Sequence, residues 1–150
     1  MSEVIKIKND IKELLEGMNL ILLYPPEVHN NDERTTVSVF VDDPRALIGE
    51  GGASLRAFQH IIRLMAVKKY GPDIKVDVDV NGYKQKRAEF LREMALSARR
   101  RAIEKGGSVE LEPMNAFDRR VIHTTLSEFK DVETESTGEY PQRRVTIGLV

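Results

Sequence analysis

The chain has 150 residues, of which 41% are hydrophobic and 31% are charged. This composition allows one ordinary core or two small ones, and it excludes a wholly disordered chain. The absence of Cys excludes a disulfide framework and a thiolate zinc site. The first residues, MSEVIKIKNDIKELLEG, carry a charge every few positions, which argues against a signal peptide or a membrane helix and predicts a cytoplasmic protein with no membrane partner.

The net charge of -1 hides a difference between the two halves of the chain. Residues 1–80 contain 10 Lys and Arg against 13 Asp and Glu, whereas residues 81–150 contain 13 against 11. The basic residues are most concentrated between Lys84 and Lys105, where eight Lys and Arg accompany three Glu. This segment is a candidate surface for a polyanion, and an ordinary solvated helix face is the alternative.

The sequence of the first half of the chain predicts seven elements in this order: helix, strand, strand, short helix, glycine loop, helix and strand. Apolar residues three and four positions apart indicate the helices, and alternation indicates the strands. The first two strands are predicted to form a hairpin around the turn-like sequence HNNDE. The predicted spans are residues 4–15, 19–24, 35–41, 45–48, 49–52, 53–70 and 74–80.

The turn signal Asn81-Gly82 predicts a boundary between two domains, residues 1–80 and 81–150, because it coincides with the change of charge balance. A long helix over residues 83–105 is expected next, followed by a short strand at 108–111. Asn115 is placed to cap a helix that runs to about residue 128, with Asp118 near its positive end. A closing hairpin is expected over residues 132–149. The predicted fold class is α/β, of the α+β type.

The glycine loop is the first motif that points to function. Residues 47–52 read Leu-Ile-Gly-Glu-Gly-Gly, and glycines at both ends of a four-residue loop let a backbone approach another chain closely. The amides at the start of the next helix would face a phosphate. With the order of elements around it, this string resembles the type II KH domain (α-β-β-α-α-β) over residues 1–80. The resemblance implies binding of single-stranded nucleic acid at Gly49, Glu50, Gly51 and Gly52.

The loop departs from its relatives in charge, because Glu50 and Gly51 stand where basic residues are common. A phosphate at this loop would meet a carboxylate, which predicts weakened or altered binding. Arg45 and three residues on one face of the following helix, Arg56, His60 and Arg63, are the candidates to compensate, and a solvated surface is the alternative.

The second motif is an arginine and a histidine four positions apart, Arg119 and His123. This spacing places a guanidinium and an imidazole side by side on one helix, where they could offer donors and a stacking plane to a phosphate or base. The surrounding sequences VELEPMNAFDRRVIHTTL and VETESTGEYPQRRVTI closely resemble the Arg-x-x-x-His domain of the Jag family, also called SpoIIIJ-associated or KhpB-like proteins. Members of that family carry a type II KH domain directly before this domain.

The resemblance implies a single-stranded RNA-binding regulator, with single-stranded DNA as the alternative ligand. Arg119 and His123 would form the defining pair, and Arg120, Arg143 and Arg144 would contact phosphates. The N-terminal Jag extension of longer members has no counterpart in this sequence. A second copy of this chain or a small KH-domain protein is the protein partner that the resemblance implies.

The sequence favours neither catalysis nor a metal or other cofactor. Its three histidines lack the spacing of a zinc site or of a known catalytic motif. The competing hypothesis is a protein-interaction adaptor in which the KH half mainly dimerises. Glu50 and the acidic balance of residues 1–80 favour that hypothesis.

Overall fold

The computed structural model describes residues 2–150 and divides the chain into two compact units, Met1–Lys84 and Gln85–Val150. Each unit has its own buried apolar core. Within the described residues, no helix is long and apolar enough to cross a membrane.

The first unit packs helices against a three-stranded sheet. Its elements are α1 (Glu3–Gly17), β1 (Glu27–Asn31), β2 (Arg34–Val39), α2 (Arg45–Ile48), a 3-10 turn (Glu50–Gly52), α3 (Ala53–Tyr70) and β3 (Val76–Val80). The sheet order is β1-β2-β3, with β1 antiparallel and β3 parallel to β2. The order of elements is the predicted one.

The apolar periodicity of the helices accounts for the core of this unit. Ile7, Ile11 and Leu15 face inward from α1, and Phe58 and Ile62 do so from α3. These side chains meet the valines of β2 and β3, which are almost fully buried. The free edge of β3 is covered by the Gln59 amide, which donates to the Val76 carbonyl (2.7 Å) and accepts from the Val78 N–H (2.6 Å).

The prediction of a strand over residues 19–24 was wrong. This run forms one isolated bridge, between Leu22 and Val41, and Pro25-Pro26 interrupt the ladder. The strand that pairs with β2 is instead β1, whose polar sequence EVHNN suits an exposed edge. Asn31 fixes the tight turn between β1 and β2, since its side chain accepts from the Glu33 and Arg34 amides.

The second unit combines two helices with a small antiparallel sheet. Its elements are α4 (Tyr83–Lys105, which begins in the first unit), β4 (Val109–Glu110), α5 (Ala116–Leu126), β5 (Val132–Thr137) and β6 (Arg144–Leu149), with sheet order β4-β6-β5. Small residues on α4 allow close packing, since Ala95, Ala98 and Ala102 are fully buried. The predicted cap is confirmed, because Asn115 accepts from the Asp118 amide at 3.0 Å. The α+β fold class is also confirmed.

Candidate nucleic-acid interface

The glycine loop joins α2 to α3. Its first and last positions must be glycine, because neighbouring side chains leave no room for a Cβ there. Gly49 has a φ of +71°, and a Cβ there would lie 2.4 Å from Ser54 Oγ. Gly52 has a φ of +79°, and its Cβ would lie 2.9 Å from the Tyr83 ring. Gly51 faces open space. The two ends of the loop are therefore held against the protein, while its middle is free to meet a ligand.

The charges at the loop come from Glu50 and Arg56. The Glu50 side chain is exposed. The Arg56 guanidinium donates to the Gly51 carbonyl at 2.7 Å, so its positive charge lies at the loop backbone. A phosphate approaching the middle of the loop would meet this cation together with the Glu50 carboxylate, which is a weaker attraction than two basic residues would supply.

Of the other predicted compensating residues, two are engaged in ion pairs. Arg45 binds Asp43, with Nε 2.9 Å from Oδ1. Arg63 binds Asp77 on β3, which Arg34 also contacts. Burial acts to raise the pKa of Asp77, but hydrogen bonds from the two arginines outweigh burial and hold that pKa below its ordinary value. Arg63 is thus part of the packing between α3 and the sheet, whereas His60 is exposed.

Two of the eight basic residues between Lys84 and Lys105 are likewise engaged within the second unit. Arg87 binds Asp118 on α5, and Arg99 binds Asp131 and lies over the Phe129 ring at 4.1 Å. Six cations remain exposed on α4 as the candidate polyanion surface: Lys84, Lys86, Arg92, Arg100, Arg101 and Lys105. The basic segment is therefore partly a structural element, and its exposed cations are distributed around the helix rather than gathered on one face.

His123 joins α5 to β5. Its Nδ1 lies 2.6 Å from Thr134 Oγ1, and its Nε2 lies 2.8 Å from Ser136 Oγ. Both ring nitrogens of His123 therefore bind the hairpin in this structure, and a contact between His123 and RNA stays a prediction. Neither Glu133 nor Glu135 makes this connection. Side chains alternate along a strand, so these two glutamates lie on the opposite face of the sheet.

The surroundings of His123 disfavour the charged form of its ring. Burial of the imidazole and, to a smaller extent, the positive charge of Arg119 lower the pKa of His123 below its ordinary value of 6.5. In the neutral ring one nitrogen donates and the other accepts, which matches two hydroxyl partners. The pair therefore presents the Arg119 guanidinium as its cationic group, and His123 holds α5 against β5.

Arg119 connects the first turn of α5 to the region before β6. Its Nε donates to the Met114 carbonyl at 3.2 Å, and the Met114 amide donates to the Arg143 carbonyl at 3.1 Å. The side chain of Arg119 is half-buried, whereas Arg120 and Arg143 are exposed. The structure thus links Arg119 and Arg143, which are 24 positions apart in the sequence.

Arg144 lies on the other face of this sheet. The face toward α5 carries Ser136, whose side chain contacts His123, and its partner in register, the buried Val145. Arg144 pairs with the next residue, Thr137, and so lies on the opposite face. Its guanidinium approaches Glu110 at 4.0 Å. The structure therefore does not bring Arg144 together with Arg119 and His123, although the sequence places it next to Arg143.

Sequence reasoning missed the ion pair that anchors the start of α5. Asp118 is 2% exposed, and its Oδ2 accepts from Arg87 Nη2 at 2.7 Å and from Nε at 3.3 Å. The two residues are 31 positions apart, and the only signal in the sequence was an acidic residue in the first turn of a capped helix. This ion pair anchors the first turn of α5 to α4, and the next two residues of α5 are Arg119 and Arg120.

Comparison with known proteins identifies a domain in the second half of the chain. The family model of the R-three-H domain, which is named for an Arg-x-x-x-His motif, matches residues 89–148. This range includes Arg119 and His123. The chain therefore contains an R-three-H domain.

Three relatives over most of the chain are named RNA-binding protein KhpB. The protein of Clostridium symbiosum is 32% identical over 139 residues, which is 93% of this chain and 63% of the relative. That of Streptococcus pneumoniae serotype 2 is 30% identical over 120 residues (79% and 37%), and that of Bacillus subtilis strain 168 is 30% identical over 125 residues (81% and 60%). The chain thus spans between 37% and 63% of the length of these relatives.

Proposed function

We propose that this chain is a KhpB-like protein of the cytoplasm that binds single-stranded RNA and acts as a post-transcriptional regulator rather than as an enzyme. Its R-three-H domain and the relatives named as RNA-binding proteins support this proposal. The observation that carries it is the arrangement at α5, where both ring nitrogens of His123 bind β5 and Arg119 is linked through Met114 to the backbone of Arg143. Guanidinium groups bind phosphates through paired N–H donors.

We propose a second contact at the glycine loop, with residues 1–80 as a type II KH domain and residues 81–150 as the Arg-x-x-x-His domain. The loop has the geometry that close approach to a sugar-phosphate backbone needs, since Gly49 and Gly52 have positive φ and Gly51 faces open space. Arg56 supplies a cation there, and Glu50 opposes it.

An adaptor role is the second candidate function, and it rests on a specific feature of α3. Ile61, Leu64 and Val67 are 41–58% exposed on the side of this helix that faces away from the core. In that role the first unit would bind a second copy of this chain or another KH-domain protein. In the adaptor role RNA binding would be reduced, and both roles can hold together. Absence of RNA affinity in the titration below would favour the adaptor role alone.

The chain is expected to bind a single-stranded 12-nucleotide RNA with strong salt dependence. Contacts to about three phosphates release counterions, which predicts a slope of roughly -2 for log K against log salt concentration. The apparent Kd is expected to be about 1 μM or weaker, as for non-specific binding. Fluorescence anisotropy at 50 and 200 mM salt measures it, and a DNA oligonucleotide of the same sequence tests the alternative ligand. Absence of binding at the lower salt concentration would contradict the proposal.

Glu50→Lys is expected to strengthen RNA binding by up to about fivefold, or about 1 kcal/mol, because it replaces repulsion of a nearby phosphate with attraction. Glu13→Lys is the matched control, since it makes the same charge change at an exposed position of α1. The same titration measures both variants. Equal gains would assign the effect to net charge, and no gain for Glu50→Lys would mean that the loop does not face the RNA.

A further inference from the structure

The tip of the β5–β6 hairpin carries an aromatic ring that takes no part in the core. Tyr140 is 95% exposed, which is more than any other large hydrophobic side chain among residues 2–150. It lies in the six-residue connection between β5 and β6, residues 138–143. Packing therefore does not explain an aromatic residue at this position.

The loop that holds Tyr140 is closed by its own hydrogen bonds. The Gln142 amide donates to the Glu139 carbonyl at 2.7 Å, and Arg143 Nη1 donates to the Gly138 carbonyl at 2.8 Å. Gly138 has a φ of +84°, and a Cβ there would lie 3.1 Å from the Gln142 carbonyl oxygen. The ring is thus presented from a loop whose backbone is fixed before any ligand arrives.

The same loop is tied to the Arg119 surface. The Arg143 carbonyl accepts from the Met114 amide at 3.1 Å, and the Met114 carbonyl accepts from Arg119 Nε at 3.2 Å. One bridging residue, Met114, therefore connects the loop of Tyr140 to the arginine in the first part of α5. The exposed Arg143 guanidinium has five N–H donors, of which one binds Gly138. Because the Arg143 guanidinium lies at the Gly138 carbonyl, an RNA phosphate bound to it would bring a neighbouring nucleotide close to the hairpin tip.

We propose that Tyr140 is a stacking platform for one base of the single-stranded RNA, beside the phosphate contacts of Arg119, Arg120 and Arg143; this inference rests on the proposed function. An aromatic face stacks on any base, so the contact adds affinity without sequence readout. An exposed ring gives up no internal contact when it binds, and its two rotatable side-chain bonds keep the entropy cost of immobilising it small. The hydroxyl group is not required for stacking.

The test compares Tyr140→Leu with Tyr140→Phe in anisotropy titrations of a labelled oligouridine and of an oligonucleotide of equal length made of abasic units. Leu keeps an apolar side chain without a ring, and Phe keeps the ring without the hydroxyl. For the oligouridine, Tyr140→Leu is expected to weaken binding about fivefold to tenfold, and Tyr140→Phe to change it less than about twofold. For the abasic oligonucleotide, both variants are expected to bind as the unmodified chain does.

Unchanged oligouridine affinity in Tyr140→Leu, with RNA binding by the unmodified chain intact, would overturn the stacking inference and leave the proposed function standing. A loss of equal size on the abasic oligonucleotide would also overturn it, because the loss would then not involve a base. Absence of RNA binding by the unmodified chain would overturn both.

Discussion

Replacing Asp118 with Ala is expected to destabilise the second unit by about 3 kcal/mol. The carboxylate is 2% exposed, and its removal leaves the Arg87 guanidinium, whose side chain is 24% exposed, without its partner. Breaking a buried pair from one side costs about 3–5 kcal/mol, and the partial exposure of Arg87 places this case at the lower end. The first turn of α5 also loses a negative charge near its positive end.

Amide hydrogen exchange of residues 85–150 measures this effect locally, since two units need not unfold in one transition. Asp131→Ala is the matched control. It removes the same charge from a pair with Arg99 whose carboxylate is 43% exposed, and it should therefore cost much less stability. The double variant Arg87→Met, Asp118→Ala should recover part of the loss, because no unpaired cation remains. If the amides of residues 85–150 were equally protected from exchange in Asp118→Ala and Asp131→Ala, the buried pair would not anchor α5.

Local patterns in the sequence were sufficient to predict most of the fold. The predicted bounds of α4 agree with the structure, and the Asn115 cap and the short helix before the glycine loop were also predicted. The exception was β1, because its sequence EVHNN resembles a turn more than a strand. Pairing with β2, and not propensity, makes it a strand, as is common for an exposed edge.

The candidate interface was predictable only in part, because its contacts join distant segments. Arg119 and His123 were identified from the resemblance of the surrounding sequence to the Arg-x-x-x-His domain, since their spacing alone is a weak signal. The contacts of His123 depend on hydroxyl groups 11 and 13 positions further on. The alternation of side chains along a strand could have predicted that Arg143 and Arg144 point in opposite directions. It could also have placed Thr134 and Ser136 on the face of β5 that packs against α5. No local pattern indicated that Arg87 would bind Asp118, since that pairing depends on how α5 packs against α4.

The replacement Arg119→Ala is expected to weaken single-stranded RNA binding by about 1–3 kcal/mol, or roughly 5- to 150-fold. It removes the guanidinium of the Arg-x-x-x-His pair, whereas burial and the charge of Arg119 disfavour the charged form of His123. The single variant is preferable to a double one, since His123→Ala would also remove the two contacts to β5. Loss of the hydrogen bond to the Met114 carbonyl should cost about 1 kcal/mol of stability.

Arg144→Ala is the charge-matched control, because it removes the same charge from the opposite face of the sheet. If Arg119 acts only through long-range electrostatic attraction, the two variants should lose the same amount of RNA affinity. A direct contact at α5 would weaken Arg119→Ala far more. The pKa of His123 should also rise in Arg119→Ala, since one of the two causes that lower it is gone, and NMR titration of the imidazole measures this shift.

The most direct test of the α5 surface is the RNA affinity of Arg119→Ala and Arg144→Ala, measured side by side with their thermal unfolding. We predict at least about a fivefold loss of affinity for Arg119→Ala, less than about a twofold loss for Arg144→Ala, and a folded second unit in both. Equal losses in the two variants, or undiminished affinity in a folded Arg119→Ala chain, would contradict the assignment of this surface to RNA.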